Sequence, residues 1–316
     1  MMVPALVLHD PRAVRPEHAR HEGHRLLWLA RNKVGRLSRV PLAHAIETRR
    51  VITVRDGVTG ITMDSLIQEE PLIIDVEWPG GGAHFTTTMR TPGDDFALAV
   101  GLLATEADVT RDDIHQTRYC VGPGNVQDYN KVTVALKRPI TLNAASLRPV
   151  SCGWCGAADL ANRLVPTGTA DAPPVLTEGA LFALSEEFAH RQKQFDSTGA
   201  SHAALIRTQD DSIIIGEDVG RHNALDKAIG HAVLDKIALA NGTVLLSGRA
   251  GSDLVLKAAR AGLSHVCSVS APSALAVEIA TQAGVTLVGF LRPGRFNVYS
   301  HPEGIAETYD ATRALR

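Results

Sequence analysis

Hydrophobic and polar residues follow two different patterns along this chain. In the first part, residues 45–147, apolar and polar positions alternate over short segments, which predicts β-strands. These strands are expected at residues 50–54, 70–76, 85–89 and 131–136. One helix is predicted between them at residues 94–103, after a turn formed by Pro92 and Gly93. The pattern therefore predicts a smaller, β-rich N-terminal domain.

In the second part, residues 175–316, apolar strands alternate with amphipathic helices. Strands are predicted at residues 203–207, 213–216, 243–246, 265–269 and 286–291. Helices are predicted at residues 223–238, 253–261 and 274–283, the second of them with Ser252 as its N-cap. Such alternation indicates an α/β domain built on a parallel sheet.

Two further segments differ from these parts in composition. Residues 1–50 contain ten Lys or Arg against four Asp or Glu, so we expect residues 1–40 to form a flexible basic extension. Residues 148–174 are rich in glycine and proline and are expected to form a mobile loop. This loop carries the pair Cys152 and Cys155.

The 316 residues are 45% hydrophobic and carry a formal net charge of -2. These values exclude a mostly disordered chain and a general nucleic-acid-binding protein. The longest apolar runs are much shorter than a membrane span, and no secretory signal is recognisable. We therefore expect a cytoplasmic protein with no nucleic-acid or membrane partner. Four cysteines are too few for a disulfide scaffold in a chain of this length.

The segments that follow the predicted strands of the second part share a basic, glycine-rich character. Open α/β sheets bind ligands beyond the carboxyl ends of their strands, so these segments are the first place to look for a site. They contain Arg221, Arg249, Arg292 and Arg295, with His222, Ser247 and Gly248 beside them. Arginine forks and helix N-termini both bind phosphate oxygens, which predicts a phosphate or pyrophosphate site. The alternative is that these arginines are surface ion-pair partners.

Two acidic residues flank the first of these segments. Asp218 is expected to orient Arg221 or to accept a hydrogen bond from a purine base, and Asp226 to stabilise the first helical turn. The chain has neither a Walker motif nor a GxGxxG motif that opens a βαβ unit, so ATP and NAD are not specifically indicated.

The CxxC pair, Cys152 and Cys155, is open to several interpretations. A zinc site needs four ligands, and the other two cysteines, Cys120 and Cys267, are single and distant, so we predict no metal site. A redox dithiol usually lies at a helix start after a strand, unlike this pair. A mobile thiolate that carries sulfur and a pair of structural thiols are the remaining possibilities. Cys267 lies in an apolar strand and is expected to be buried.

Seven segments together resemble a known family over about residues 69–301. They are Glu-Pro-Leu at 70–72, Met-Arg-Thr-Pro-Gly-Asp-Asp at 89–95, Ser-Cys-Gly-Trp-Cys-Gly at 151–156, Gly-Glu-Asp-Val-Gly-Arg-His-Asn-Ala-Leu-Asp-Lys at 216–227, Ser-Gly-Arg at 247–249, Ser-Ala-Pro-Ser at 270–273 and Gly-Phe-Leu-Arg-Pro-Gly-Arg-Phe-Asn-Val-Tyr at 289–299. In these the chain resembles the formate dehydrogenase accessory sulfurtransferases, the FdhD/NarQ family.

The resemblance implies a function and a fold. Such proteins accept sulfur as a cysteine persulfide from a cysteine desulfurase and pass it to the molybdenum-bis(molybdopterin guanine dinucleotide) cofactor of the formate dehydrogenase catalytic subunit. GDP is expected to mimic the guanine nucleotide parts of that cofactor. The implied fold is a cytidine deaminase-like α/β domain at the C-terminus, in a homodimer. The chain lacks the HxE motif before its CxxC that zinc deaminases have, which disfavours base deamination.

The resemblance also implies roles for individual residues. Cys152 would carry the persulfide, and Cys155 would assist or serve as a second acceptor. The stretch that matches the family's cofactor-binding segment consists of Phe290, Leu291, Arg292, Pro293, Gly294, Arg295 and, just beyond it, Asn297. Two other functions compete: a chaperone that binds the cofactor without sulfur transfer, and a dithiol/disulfide oxidoreductase.

Overall fold

The structure is a computed structural model that describes residues 45–121, 127–140 and 173–308. The basic extension at 1–40 and most of the loop at 148–174, including Cys152 and Cys155, lie outside the described residues. The strands are β1 (Ile46–Arg55), β2 (Val58–Ile67), β3 (Glu70–Trp78), β4 (Gly81–Arg90), β5 (Ile114–Val121), β6 (Gln127–Leu136), β7 (His202–Arg207), β8 (Ile213–Asp218), β9 (Thr243–Leu246), β10 (His265–Ser268), β11 (Thr286–Arg292) and β12 (Arg295–Ser300). The α-helices are α1 (Asp95–Glu106), α2 (Glu178–Arg191), α3 (Lys193–Thr198), α4 (Arg221–Asp235), α5 (Ser252–Arg260) and α6 (Ala274–Ala283).

The described chain starts with a two-stranded antiparallel hairpin, β1–β2. Its tip is Asp56–Gly57, and both residues have positive φ, 50° and 79°. Two central residues with positive φ twist in the sense that flanking strands require, which explains the tight connection.

The next sheet has four strands in the order β4-β3-β6-β5. Its period of two is clear in β3, where Leu72, Ile74 and Val76 are buried and Ile73 between them is exposed. The buried face packs against α1, and together they form one hydrophobic core.

The third sheet has six strands in the order β12-β11-β10-β9-β7-β8. Within this sheet, β10 pairs in parallel with β9 and β11, whereas the pairs that include β7, β8 or β12 are antiparallel, so the expected parallel sheet is wrong for its outer strands. The physical reason is the short links, since β7–β8 and β11–β12 are joined as hairpins, which only antiparallel strands permit. Because β7 is also antiparallel to β9, β8 runs in the same direction as β9.

Helices cover both faces of the six-stranded sheet. Helices α4, α5 and α6 pack on one face and α2 on the other. Helix α1 crosses α4 so closely that a Cβ atom at Gly101 would lie 1.9 Å from the Asp226 carbonyl oxygen, and one at Gly230 would lie 1.8 Å from the Ala97 carbonyl oxygen. The four-stranded and six-stranded sheets are therefore joined through the α1–α4 pair.

The expected α/β class, with a β-rich N-terminal part and an α/β C-terminal part, is confirmed. Two details of the helix starts differ from expectation. Helix α4 begins at Arg221, two residues earlier than predicted, and Ser252 is the first residue of α5, with Gly251 as the N-cap. As a result, Arg221 and His222 lie in the first turn of α4 and not in the loop before it.

Candidate functional site

The segments that follow β8, β9, β10 and β11 lie at one edge of the six-stranded sheet, as predicted, because these four strands run in the same direction. Hydrogen bonds join the segments to one another. The Phe290 amide donates to the Ser270 carbonyl (3.0 Å), and the Ala250 amide to the Ala271 carbonyl (3.2 Å). The Ser268 hydroxyl donates to the Gly248 carbonyl (2.6 Å). The segments at this edge are therefore held in place by hydrogen bonds to one another.

Arg221 and His222 stand at the N-terminus of α4, whose N-cap, Gly220, has no side chain to cap the helix. Burial and the nearby Arg221 and Lys257 lower the pKa of His222 to about 4. The Asp253 carboxylate lies 3.8 Å from His222 Nε2, and the pKa is lowered despite this neighbour. The imidazole is therefore neutral near pH 7.

Ser247 follows β9 and meets the start of β7. Its hydroxyl oxygen accepts a hydrogen bond from the Ala203 amide (2.9 Å) and lies 3.2 Å from His202 Nδ1. Burial and Arg221 lower the pKa of His202 as well. The next residue, Gly248, packs directly on the imidazole, because a Cβ atom there would lie 3.2 Å from His202 Cε1.

The β11–β12 hairpin contains the remaining predicted cofactor-binding residues. Phe290 is 40% exposed and has a positive φ of 54°, a strained conformation for an aromatic residue. The side chain of Leu291 is fully buried in the core, so only its backbone can reach a ligand. Arg292 and Arg295 face each other across the turn and are both exposed. The other positions, Pro293, Gly294 and Asn297, are exposed too.

A cleft of about 380 Å³ opens beside this edge, between α2, α3 and the sheet. Two of the predicted site residues, Ser247 and Arg292, line it together with His202. The rest of the lining consists of Phe188, Gln192, Phe195, Gly199, Ala200, Ser201 and Val269. Arg292 is the charged side chain among these residues, and the Glu217 carboxylate lies behind the lining, where it accepts hydrogen bonds from Ser201 (3.3 Å) and the Phe195 amide (3.3 Å).

None of Arg221, Arg249, Arg292 and Arg295 forms an ion pair with a carboxylate of the described residues. The arginine ion pairs in that part of the chain involve Arg49, Arg90, Arg118, Arg138, Arg191, Arg207 and Arg260. The Nε of Arg221 is buried and has no hydrogen-bond partner within the part of the chain that the structure describes. Within the described residues, the surface ion-pair alternative is thus not supported for these four arginines.

The prediction for Asp218 is wrong. This carboxylate is fully buried and lies 2.8 Å from Lys227 Nζ. It also accepts hydrogen bonds from the amides of Thr91 (3.0 Å) and Gly220 (2.8 Å) and from the side chain of Asn223 (3.2 Å). Its lone pairs are therefore occupied, and it can neither orient Arg221 nor read a base.

The prediction for Asp226 is also wrong. It lies within α4 and is fully buried, with Lys257 Nζ at 2.9 Å and the Thr105 hydroxyl at 3.0 Å. The Lys257 ammonium also reaches Glu106 at 2.8 Å. Burial raises the pKa of Asp226 to about 6, although Lys257 opposes the shift. Asp226 thus joins three helices and does not act on the first turn.

Arg90, in the segment at 89–95, has a structural role that its sequence pattern did not predict. Arg90 is 1% exposed and pairs with Asp95 at 2.9 Å, and the Tyr119 hydroxyl donates to the same carboxylate. Next to it, the Thr91 hydroxyl accepts from the Val219 amide (3.0 Å). The segments at 89–95 and 216–227 are therefore joined by hydrogen bonds in the interior next to the site.

The cysteines divide between described and undescribed parts of the chain. Burial of Cys267 is confirmed, and it raises the pKa of that thiol to about 12. Cys120 Sγ lies 3.1 Å from the Thr133 hydroxyl. The described residues contain no group of three or more His, Cys, Asp or Glu side chains that could hold a metal ion. None of the helices in this part combines the length and apolar composition needed to cross a membrane.

Comparisons with known proteins agree with this arrangement. A solved structure of a formate dehydrogenase accessory protein from Desulfotalea psychrophila matches 83% of this chain and 99% of its own length, with a TM-score of 0.63 and 24% identity. That likeness shows the fold. A dCMP deaminase from the cyanophage S-TIM5 matches 34% of the chain with a TM-score of 0.27, which is too low to indicate a shared fold.

The sequence comparisons are more specific. The sulfur carrier protein FdhD of Streptomyces avermitilis is 41% identical over 278 residues, which cover 84% of this chain and 97% of that protein. The family model described as "FdhD/NarQ family" matches residues 67–306, close to the range over which the motifs suggested a resemblance. The chain therefore belongs to the FdhD/NarQ family.

Proposed function

We propose that this protein is a cytoplasmic sulfurtransferase that carries sulfur from a cysteine desulfurase to the bis(molybdopterin guanine dinucleotide) cofactor of formate dehydrogenase, which requires it for activity. Relatives of this chain are named sulfur carrier proteins, and a structural relative is a formate dehydrogenase accessory protein. The donor, the form of the carried sulfur, the cofactor and the homodimeric state are parts of the proposal.

The observation that carries the proposal is the sheet edge with its four arginines. Arg221, Arg249, Arg292 and Arg295 lie on segments at that edge, and none has a carboxylate partner in the described part of the chain. Unpaired guanidinium groups at a helix N-terminus and a hairpin turn suit the pyrophosphates of a dinucleotide. The buried and unpaired Nε of Arg221 is a donor that such a ligand would satisfy.

The first chemical step follows from the nucleophilicity of a thiolate. The Cys152 thiolate attacks the outer sulfur of the desulfurase persulfide. A new S–S bond forms on Cys152, the S–S bond of the donor breaks, and the desulfurase cysteine leaves as a thiolate. This exchange consumes neither an oxidant nor a reductant.

In the second step, the S–S bond of the Cys152 persulfide breaks and Cys152 keeps the bonding pair as a thiolate. The outer sulfur is transferred as a neutral atom to the metal of the bound substrate. The reduced metal supplies the electron pair for the new metal–sulfur bond, so electrons and atoms balance. Cys155 assists the transfer or serves as a second acceptor.

Intact-protein mass spectrometry tests the first step. The wild type, Cys152→Ala and Cys155→Ala are each incubated with a cysteine desulfurase and L-cysteine. We expect a gain of one sulfur, about 32 Da, in the wild type, which a reductant removes and Cys152→Ala lacks. Absence of this gain in the wild type, with an active desulfurase, would exclude the persulfide role.

Formate dehydrogenase activity in a strain that carries each variant separates the proposal from its two alternatives. A sulfur carrier fails when either Cys152→Ala or Arg295→Gln is introduced. A cofactor chaperone without chemistry tolerates Cys152→Ala but not Arg295→Gln. A dithiol oxidoreductase needs both cysteines and is insensitive to Arg295→Gln.

A further inference from the structure

His202, at the start of β7, is held beside the cleft by Ser247. The Ser247 hydroxyl oxygen accepts the Ala203 amide hydrogen at 2.9 Å and lies 3.2 Å from His202 Nδ1. Gly248 fixes the position of the ring, because a Cβ atom there would lie 3.2 Å from Cε1 and 3.3 Å from Nδ1. The position of the imidazole is thus set by two consecutive residues of one loop.

The contact with Ser247 bears on which ring nitrogen of His202 carries the proton. A serine hydroxyl has one hydrogen to donate, and that of Ser247 is free because its oxygen is the acceptor for Ala203. The oxygen has a second lone pair, so Ser247 can either donate to Nδ1 or accept from it; where the hydroxyl donates, the proton of a neutral imidazole is on Nε2. Burial and Arg221 lower the pKa of His202, which keeps the ring neutral near pH 7.

The Nε2–H group has no hydrogen-bond partner among the described residues, although the ring lines the cleft of about 380 Å³. The cleft lining also includes Arg292 and contains no carboxylate. Arg221 and Asp218 both influence the pKa of His202, in opposite directions, but the Asp218 carboxylate is fully buried and already paired with Lys227. A donor hydrogen beside two guanidinium groups is suited to an anionic oxygen and not to a cation.

We propose that His202 binds the cofactor directly by donating its Nε2–H to a phosphate oxygen of the nucleotide, and that Ser247 is the positioning residue that holds the ring in this tautomer. The inference rests on the proposed function, since it takes the nucleotide of that cofactor as the ligand. It adds a ligand-binding residue that the motif-based site does not include.

Calorimetric titration with GDP tests the contact. We expect His202→Phe to raise the Kd at least tenfold, because the ring shape is kept and the donor is lost. His202→Gln should restore most of the affinity, since its amide nitrogen reaches the position of Nε2. His115→Phe, on the exposed face of β5, is the matched control and should bind as the wild type does.

Two results of this titration have different meanings. If the wild type binds GDP and His202→Phe binds it equally well, the role of His202 is refuted while the proposed cofactor site stands. If the wild type does not bind GDP, both the cofactor site and the role of His202 are refuted.

Nitrogen-15 NMR of the imidazole tests the tautomer without any ligand. The wild type should show His202 with Nε2 protonated and Nδ1 unprotonated at pH 7.5. Ser247→Ala should lower the melting temperature, because the Ala203 amide loses its acceptor, and should also yield a mixture of tautomers and weaker GDP binding, which the loss of that backbone hydrogen bond alone would not produce. A wild-type ring protonated on Nδ1 would refute the assignment of Nε2 as the donor.

Discussion

Charged residues are buried and paired in one region of this molecule and exposed without a carboxylate partner among the described residues in the neighbouring region. Beneath the site, the pairs Asp218–Lys227 and Asp226–Lys257 are almost completely buried, and every charge has a partner within 3 Å. At the sheet edge, Arg249, Arg292 and Arg295 are exposed and have no carboxylate partner in the described residues. Burying a charge is favourable only when it is paired, whereas an unpaired charge is available for a ligand.

The difference shows that the family motifs have two functions. The segment at 216–227 contributes Asp218 and Lys227 to the interior and Arg221 and His222 to the edge. A motif of this kind can therefore fail in two ways, by loss of stability or by loss of binding. Substitutions in the two regions separate these failures.

The largest effect is expected from Asp218→Ala. It leaves the Lys227 ammonium fully buried without its counter-charge, which should lower the free energy of unfolding by about 3–5 kcal/mol. Denaturant unfolding measures the loss. Arg207→Ala, which breaks the exposed pair with Asp211, is the control and should change stability by about 0.5 kcal/mol or less. Equal losses in both variants would contradict the distinction between the regions.

The next largest effect is the pH dependence of stability that His222, at the boundary of the two regions, should produce. Its pKa is about 4 in the folded chain against 6.5 in the unfolded chain. Between these values the unfolded state binds a proton that the folded state does not, so stability is complete above pH 6.5 and decreases as pH falls towards 4. The linked loss is roughly 3 kcal/mol.

Comparison of unfolding free energies of the wild type and His222→Asn between pH 7.5 and 4 isolates this contribution. The variant should lose less stability than the wild type over that range. The comparison is needed because Asp226, whose pKa is raised to about 6, acts with the opposite sign and stabilises the folded chain as pH falls. Parallel curves for the two proteins would show that His222 does not titrate as described.

A smaller effect is expected at the crossing of α1 and α4. Gly230→Ala would place a Cβ atom 1.8 Å from the Ala97 carbonyl oxygen, so the helices must separate at a cost of about 1–3 kcal/mol. Gly179→Ala is the control in α2, where the nearest atom is 3.9 Å away. There the lower backbone entropy of alanine should raise stability by about 0.5–1 kcal/mol. The same sign for both substitutions would exclude close helix packing as the cause.

The sequence predicted most accurately those elements whose own apolar residues mark where they begin and end. Strand β9 and helix α6 have the predicted bounds, because their apolar residues set them apart from the polar and glycine-rich segments on either side. Helix α2 was missed, although Leu181, Leu184 and Phe188 are spaced at i, i+3 and i+7. Strand β2 was missed as well, although Asp56–Gly57 is a typical hairpin signal.

The interior contacts between the motif segments could not have been predicted from local pattern. Thr91 and Asp218 are hydrogen-bonded but lie 127 residues apart in the chain. A polar residue in a motif suggests a contact with a ligand. Only the fold reveals that the hydrogen-bonding groups of that residue are already paired with another segment of the chain. The prediction that the basic segments share one edge succeeded because it required only the direction of the strands.

The smallest free-energy change is expected at the edge itself, from Arg292→Gln. The substitution removes an exposed guanidinium with no ion-pair partner among the described residues, so the melting temperature should not change. The Kd for GDP should increase about tenfold, which corresponds to roughly 1.4 kcal/mol and to the loss of one charge-assisted hydrogen bond. Arg207→Gln, away from the edge, should leave the Kd unchanged and alter stability by about 0.5 kcal/mol or less through the lost exposed pair with Asp211. If Arg292→Gln lowered stability and not affinity, the edge would resemble the interior, and the contrast between paired and available charge would not hold.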